Sequence, residues 1–241
     1  MPGVFDEIQT AAGYEHLKTV HGDCGTRPET IGAQRIFRKR ADNSISKQYR
    51  ADEKLVKEYR KGGCRADYLG YFETPHCRQT AWTRENPEVL KGVHSLIVAA
   101  DNVFKESLPD RYQFQYYHAC ESPDFQLWNT AFSTMTVNRK LSTTYHQDKG
   151  DLKGGFGVML TLGNFKGGAL VFPAFKVAID YQPGSLILAD VHETHGNLPL
   201  KDGDDRVTCI LYVRERIKKC GLAEDVEDRM KGKMSVHARE D

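Results

Sequence analysis

Two different periodicities divide this chain. Asn86-Pro87-Glu88 offers a cap residue, a proline for the first turn and an acid behind it. Apolar residues then recur at helical spacing through Val89, Leu90, Val93, Leu96, Ile97, Ala100, Val103 and Phe104. The spacing predicts an amphipathic helix that Leu108-Pro109 ends and that packs on the outside of a sheet. From residue 112 onward the pattern shortens to β-branched and apolar runs. Predicted strands cover 112–118, 132–139, 156–162, 168–173, 176–181, 185–191 and 207–215, with Gly154-Gly155, Gly163-Asn164, Gly167-Gly168 and Pro183-Gly184 as turns. Many short strands with little helix predict a mainly β fold with flanking helices, a sandwich or jelly roll.

Upstream, residues 1–30 carry little pattern, and 45–62 are polar and partly helical up to the break at Gly62-Gly63. Residues 217–241 are charged and read as a helix that frays. With no internal repeat and no low-complexity linker, residues 1–241 read as a single domain. Its parts are an N-terminal extension over 1–85, a helix plus jelly-roll core over 86–216 and a C-terminal tail over 217–241. The aromatic stretch Tyr112, Phe114, Tyr116, Tyr117, Phe125 and Trp128 reads as strand core.

Composition narrows the class more than the function. A chain of 241 residues buries one substantial core. No apolar stretch approaches the ~18 residues of a membrane span. The start Met1-Pro-Gly-Val-Phe lacks a secretory layout, so an intracellular, reducing setting is expected. In that setting Cys24, Cys64, Cys77, Cys120, Cys209 and Cys220 read as mostly free or buried thiols, with a weaker option of zinc on Cys64, Cys77 and His76. Net charge is +1 overall. Locally it is not even: from Arg35 to Lys61 ten basic residues face four acidic ones (Asp42, Asp52, Glu53, Glu58). Such a run is a solvated face or an arm that contacts phosphates.

The chemistry sits in the β-rich half. His146-Gln-Asp148 has the two-residue spacing that turns side chains to one face of an extended chain. His195 follows, and then Arg206. Two imidazoles and a carboxylate on one side of a metal leave positions open, as non-haem Fe(II) requires for O₂ and a bidentate ligand. Catalytic zinc uses the same donors, so the triad alone leaves the metal open. Asp190-Val-His192 is a competing pair; His195 is preferred because His195-Gly-Asn197 lets the chain turn tightly beside a metal. Arg206 opens a predicted strand and shares a face with Thr208. A guanidinium fork with a hydroxyl beside it suits the distal carboxylate of 2-oxoglutarate.

Thr143-Thr-Tyr-His-Gln-Asp-Lys-Gly-Asp151, Gly167-Gly-Ala-Leu-Val-Phe-Pro173, His195-Gly-Asn197 and Arg206 together resemble the TET/JBP family of iron- and 2-oxoglutarate-dependent nucleic-acid base oxygenases. Phage, fungal and algal members are the most alike. The resemblance covers residues 128–215, with a weaker echo at Arg78-Gln-Thr-Ala-Trp-Thr83. It implies a double-stranded β-helix core, with His146, Asp148 and His195 on Fe(II) and Arg206 on 2-oxoglutarate. It also places Asp151 against a flipped base, with Arg78 as a further substrate contact. The implied activity is oxidation of a 5-methyl group by O₂, on 5-methylcytosine in the TET branch and thymine in the JBP branch. A carboxylate accepts from the cytosine amine, which mildly favours 5-methylcytosine in DNA; the alternative for Asp151 is a cap on the Lys149-Gly150-Asp151 turn. Three rivals stay open: another substrate, ascorbate in place of 2-oxoglutarate, and a non-catalytic jelly-roll module that binds modified DNA. Protein partners are not legible.

Overall fold

Short β-branched runs punctuated by glycine and proline fold as strands, and the helical stripe before them folds as helices. The computed structural model of the chain describes residues 24–26, 65–73, 76–141, 143–198, 200, 205–228 and 230. The basic run at 35–61 and the helix expected over 45–62 lie outside the described residues. Strands β1 (Cys24–Thr26), β2 (Arg65–Phe72) and β3 (Arg78–Gln79) come first. Helices α1 (Ala81–Glu85), α2 (Pro87–Gly92), α3 (His94–Ser107) and α4 (Pro109–Cys120) follow. The remainder is β4 (Thr134–Arg139), β5 (Thr143–His146), β6 (Gly157–Asn164), β7 (Leu170–Phe172), β8 (Val177–Ile179), β9 (Leu186–Ala189), β10 (Gly196–Asn197) and β11 (Asp205–Tyr212). The largest sheet has the order β3-β2-β4-β11-β6-β9, a smaller one β10-β7-β8, and β1 pairs with β5. Residues 65–79, placed by their sequence in an N-terminal extension, thus supply two strands of the largest sheet. No helix among the described residues is long and apolar enough to cross a membrane.

The chain divides into two compact units. The first gathers 136–149 and 159–210 with β1. Its core is built by Met159, Phe165, Leu170, Phe172 and Tyr181, with Ile179, Ile187, Ala189, Leu200 and Ile210 packed against them. These side chains come from β6, β7, β8, β9 and β11 and from the loops beside them, so both the large and the small sheet feed one apolar layer, as in a jelly roll. Register is tight where glycine permits it. Gly163 has φ +99°, and a Cβ there would run into the Asp205 carbonyl.

The second unit gathers 68–135, 150–158 and 211 onward. Two expectations fail here. The stretch 112–118 is not a strand but the middle of α4. Pro109 serves as the first residue of a new helix and does not merely end the old one. The buried positions Tyr112, Gln115 and Ala119 then recur at helical spacing, which outweighs the β preference of the aromatic residues. Tyr112 donates to Asp101 on α3 at 2.9 Å, and Gln115 donates to the Ala131 carbonyl at 2.8 Å. Of the aromatic run, Tyr112 packs inside the helix layer, Phe114 and Tyr117 are exposed, and Phe125 is buried beyond α4; none of these is strand core. The single helix expected from residue 86 is also interrupted at Val93, next to the weak helix former Gly92. Only Ile97, Ala100, Asp101 and Phe104 of α3 are buried, while Val89 and Val103 face solvent.

The expectation of mostly free or buried thiols fails for one pair. Cys77 and Cys220 form a disulfide across 143 residues of chain, beside a cluster of Phe125, Ile217 and Val226. Cys77 is thereby unavailable to the zinc site considered with His76. Cys120 and Cys209 are free.

Candidate functional site

In the first unit, β5 ends on His146 and the chain carries on to Asp148, whose backbone N–H donates to the Val191 carbonyl at 2.9 Å. His146 and His195 bridge their backbones in both directions, N–H to carbonyl, at 2.9 and 3.0 Å. That two-way bridge fixes the side chains of residues 49 positions apart (146 to 195) in one place, with ring centroids 4.4 Å apart. Asp148 stands between them: one carboxylate oxygen lies 3.7 Å from His146 Nε2 and the other 3.8 Å from His195 Nε2. These gaps are too long for hydrogen bonds. They suit three ligands converging on one ion, since a donor atom from each of the three residues lies within 4.8 Å of the others.

The protonation chemistry fits the same use. His195 Nδ1 lies 2.8 Å from the Glu193 carbonyl. A carbonyl only accepts, so Nδ1 carries the proton and Nε2 presents a lone pair, an arrangement common to metal-binding histidines. Burial lowers the His195 pKa to about 4, with the nearby His146 adding to the shift and Asp148 opposing it. The imidazole is therefore neutral, the form a metal takes. Phe172 closes one side of the trio, its ring 5.8 Å from that of His195. His192 is not part of the group; its ring nitrogen sits 3.2 Å from Asp190. Two nitrogens and a carboxylate oxygen on one side suit Fe(II), which needs open positions opposite.

Arg206 and Thr208 lie on β11, both buried, two residues apart on one face. The Arg206 guanidinium, 2% exposed, donates to the carbonyls of Gly168 at 2.6 Å and Leu141 at 2.9 Å. It also lies over the rings of Tyr181 and Phe165, at 5.6 and 6.0 Å. Burial raises the Tyr181 pKa, with Arg206 opposing the shift. A guanidinium enclosed this way is a fixed cation inside the jelly roll. The sequence pointed to Arg206 but not to what holds it. Gly168 has φ +78°, and a Cβ there would strike Arg206 Nη1. The Gly167-Gly168 pair, in the sequence a turn and the start of the family motif, is the visible signal for this cradle.

The other two expected contacts, Asp151 and Arg78, belong to the second unit. Asp151 directly follows the turn at 149–150. It is buried and bridges to Arg214, whose Nη1 lies 3.6 Å from its carboxylate. Arg214 also donates through Nε and Nη2 to Glu73, at 3.3 and 3.1 Å. Burial works against the Arg214 charge, but the Glu73 hydrogen bonds and the charges around it outweigh burial and hold its pKa above the ordinary value. Gly150 makes room, because a Cβ there would meet the Arg214 guanidinium at 2.7 Å. Neither Glu73 nor Arg214 carried any sequence signal. Arg78 lies on β3, its pKa lowered by burial and then by Arg84.

Comparison with known proteins gives the site its context. The family model Tet_JBP, described as the oxygenase domain of the 2OGFeDO superfamily, matches residues 65–215. The chain is 32% identical over 161 residues to the bifunctional helicase and thymine dioxygenase JBP2 of Trypanosoma brucei brucei, covering 65% of this chain and 14% of that protein. It is 30% identical over 175 residues to thymine dioxygenase JBP1 of Trypanosoma brucei brucei, covering 69% and 21%. It thus spans only about 14–21% of the length of these relatives. Among solved structures, NgTET1 in complex with 5mC DNA superposes with a TM-score of 0.58 over 82% of each chain, at 14% identity, a likeness of fold. The superfamily's domain works with Fe(II), 2-oxoglutarate and O₂. The match over residues 65–215 makes this chain a member of the TET/JBP family of oxygenases.

Proposed function

We propose that the chain is an Fe(II)- and 2-oxoglutarate-dependent dioxygenase that oxidises the 5-methyl group of 5-methylcytosine in DNA to 5-hydroxymethylcytosine. The observation that carries this reading is the convergence of His146, Asp148 and His195 in the unit that also encloses the Arg206 cation. In this reading His146, Asp148 and His195 hold the iron. Arg206, with the Thr208 hydroxyl beside it, takes the distal carboxylate of 2-oxoglutarate. Bound there, iron and cosubstrate supply with O₂ the oxidising power that turns the methyl C–H into C–OH, and 2-oxoglutarate leaves as succinate and CO₂.

The rest of the work is positioning. The neutral His195 keeps its lone pair on the metal side, and the Phe172 ring keeps water from that side of the trio. A methyl group inside a base stack cannot reach such a site, so the target nucleotide is flipped out of the duplex. Asp151 follows Asp148 by three residues, a chain reach of at most roughly 11 Å. Its carboxylate accepts from the exocyclic amine of the flipped cytosine. Support for DNA as the partner comes from NgTET1, which was solved with 5mC DNA.

Thymine is the second reading. The curated relatives named as thymine dioxygenases share 30–32% identity with this chain, and the ring N3–H of thymine donates to the same carboxylate. Nucleoside mass spectrometry after incubation of duplex DNA with Fe(II) and 2-oxoglutarate separates the two. The expected product is 5-hydroxymethylcytosine from methylated duplex, with none from unmethylated duplex. Hydroxymethyluracil from either duplex moves the assignment to thymine, and succinate release with no oxidised base refutes both.

A further inference from the structure

A protein that flips a base must fill or brace the gap left in the stack, and the first unit presents a side chain built for that. The β7–β8 hairpin turns through Pro173, Ala174, Phe175 and Lys176, with Phe172 paired across to Val177. Its tip is apolar and solvent-facing: Phe175 is 60% exposed and Val177 is 43% exposed. Most other large apolar residues of β6 to β9 are turned inward, which leaves this tip as an anomaly for water to cover.

The tip is also stiff. Pro173 starts a 3-10 turn, the Lys176 N–H donates to the Pro173 carbonyl at 3.1 Å, and Lys176 holds a left-handed φ of 53°. The Phe175 ring leans on Phe172 at 6.4 Å, and Phe172 in turn lies 5.8 Å from His195. Along the backbone the connection is equally short. Strand β7 pairs on its other side with β10, Val171 opposite Gly196, the residue after His195. The exposed ring therefore stands two ring contacts from the metal trio, on a sheet that contains that trio's neighbour. Lys176, exposed at the tip, adds positive charge of the kind that meets phosphates.

We infer that Phe175 is the wedge of this enzyme: it enters the duplex at the target base pair and occupies the space the flipped pyrimidine vacates. Insertion of an apolar side chain between base steps is an established way of unstacking DNA, and Lys176 would hold the adjacent phosphate. This inference rests on the proposed action on duplex DNA.

The test compares three substrates carrying the same 5-methylcytosine: a paired duplex, a single strand, and a duplex with an abasic site opposite the target. For Phe175→Ala, turnover on the paired duplex is expected to fall about tenfold or more, while rates on the single strand and the abasic duplex stay within about twofold, because those bases are already unpaired. Phe175→Leu, which restores an apolar wedge, is expected to recover most of the duplex rate. A 2-aminopurine next to the target should brighten when wild type binds and stay quenched with Phe175→Ala. Equal loss on all three substrates, or no loss on the paired duplex, overturns the wedge. A wild type inactive on all three overturns the parent reading instead.

Discussion

Replacing Gly168 by alanine separates the role of the arginine's cradle from ordinary turn strain. Gly168 sits at φ +78°, where an L side chain costs about 1–2 kcal/mol. Its new Cβ would also lie on Arg206 Nη1 and 2.9 Å from Leu200 Cδ2. Arg206 is 2% exposed and has no open space to retreat into, so the bond from Nη1 to the Gly168 carbonyl must stretch or break. A hydrogen bond to a charged group is worth roughly 1.5–3 kcal/mol. Gly184→Ala is the control. It has φ +87° but nothing within 4 Å of its Cβ, so it carries the backbone strain alone. Thermal unfolding should show both variants losing a few degrees, about 2–4 °C per kcal/mol for a chain of this size. Only Gly168→Ala should also raise the KM for 2-oxoglutarate in a succinate-release assay, by about 10- to 100-fold, at 1.4 kcal/mol per tenfold. If the two variants match in both melting temperature and KM, Arg206 is not held by that carbonyl in any way the cosubstrate feels.

Other consequences follow from single contacts. His195→Ala should weaken Fe(II) binding by about 100-fold or more, whereas His192→Ala should leave it within a few-fold, read anaerobically from the visible band that forms with 2-oxoglutarate; the opposite ranking would hand the third ligand to His192. Arg214→Met leaves the Glu73 and Asp151 carboxylates buried without their cation, at a cost of about 3–5 kcal/mol in urea unfolding. A loss below about 1 kcal/mol would mean the pair is too wet to matter. Cys77→Ser should lower stability by about 2–4 kcal/mol without reductant, and dithiothreitol should bring wild type down to the same level while leaving the variant unchanged.

Much of the fold was visible in periodicity because the β-rich half obeys it. The runs expected at 132–139, 156–162 and 185–191 correspond to β4, β6 and β9 with ends shifted by at most two residues. The failures at 112–118 and at Cys77 and Cys220 share a cause: a local signal does not show its distant partner. Aromatic residues at 112–118 favour strands in isolation, but Tyr112 and Gln115 answer to Asp101 and Ala131, contacts that only α4 permits. A disulfide across 143 residues leaves no trace in spacing at all, since its halves come together only when the chain is folded.

The site was legible for a reason that differs from the geometry that builds it. The two-residue rule pointed to His146 and Asp148 as neighbours on an extended chain, yet β5 ends at His146 and Asp148 lies beyond it. What orients Asp148 is its own N–H on the Val191 carbonyl, and what brings in His195 is the backbone bridge to His146. The histidine choice follows from the same contacts. His192 lies next to Val191, but its backbone N–H and its ring both turn to Asp190, within 2.9 and 3.2 Å, so its imidazole is taken up locally. Three residues later the chain has paired with β5, and the ring at 195 is carried inward to 5% exposure. A glycine after the histidine was the sequence's hint. The physical determinant is which imidazole belongs to the residue that pairs with β5, and that is a property of strand register, which no spacing along the chain specifies.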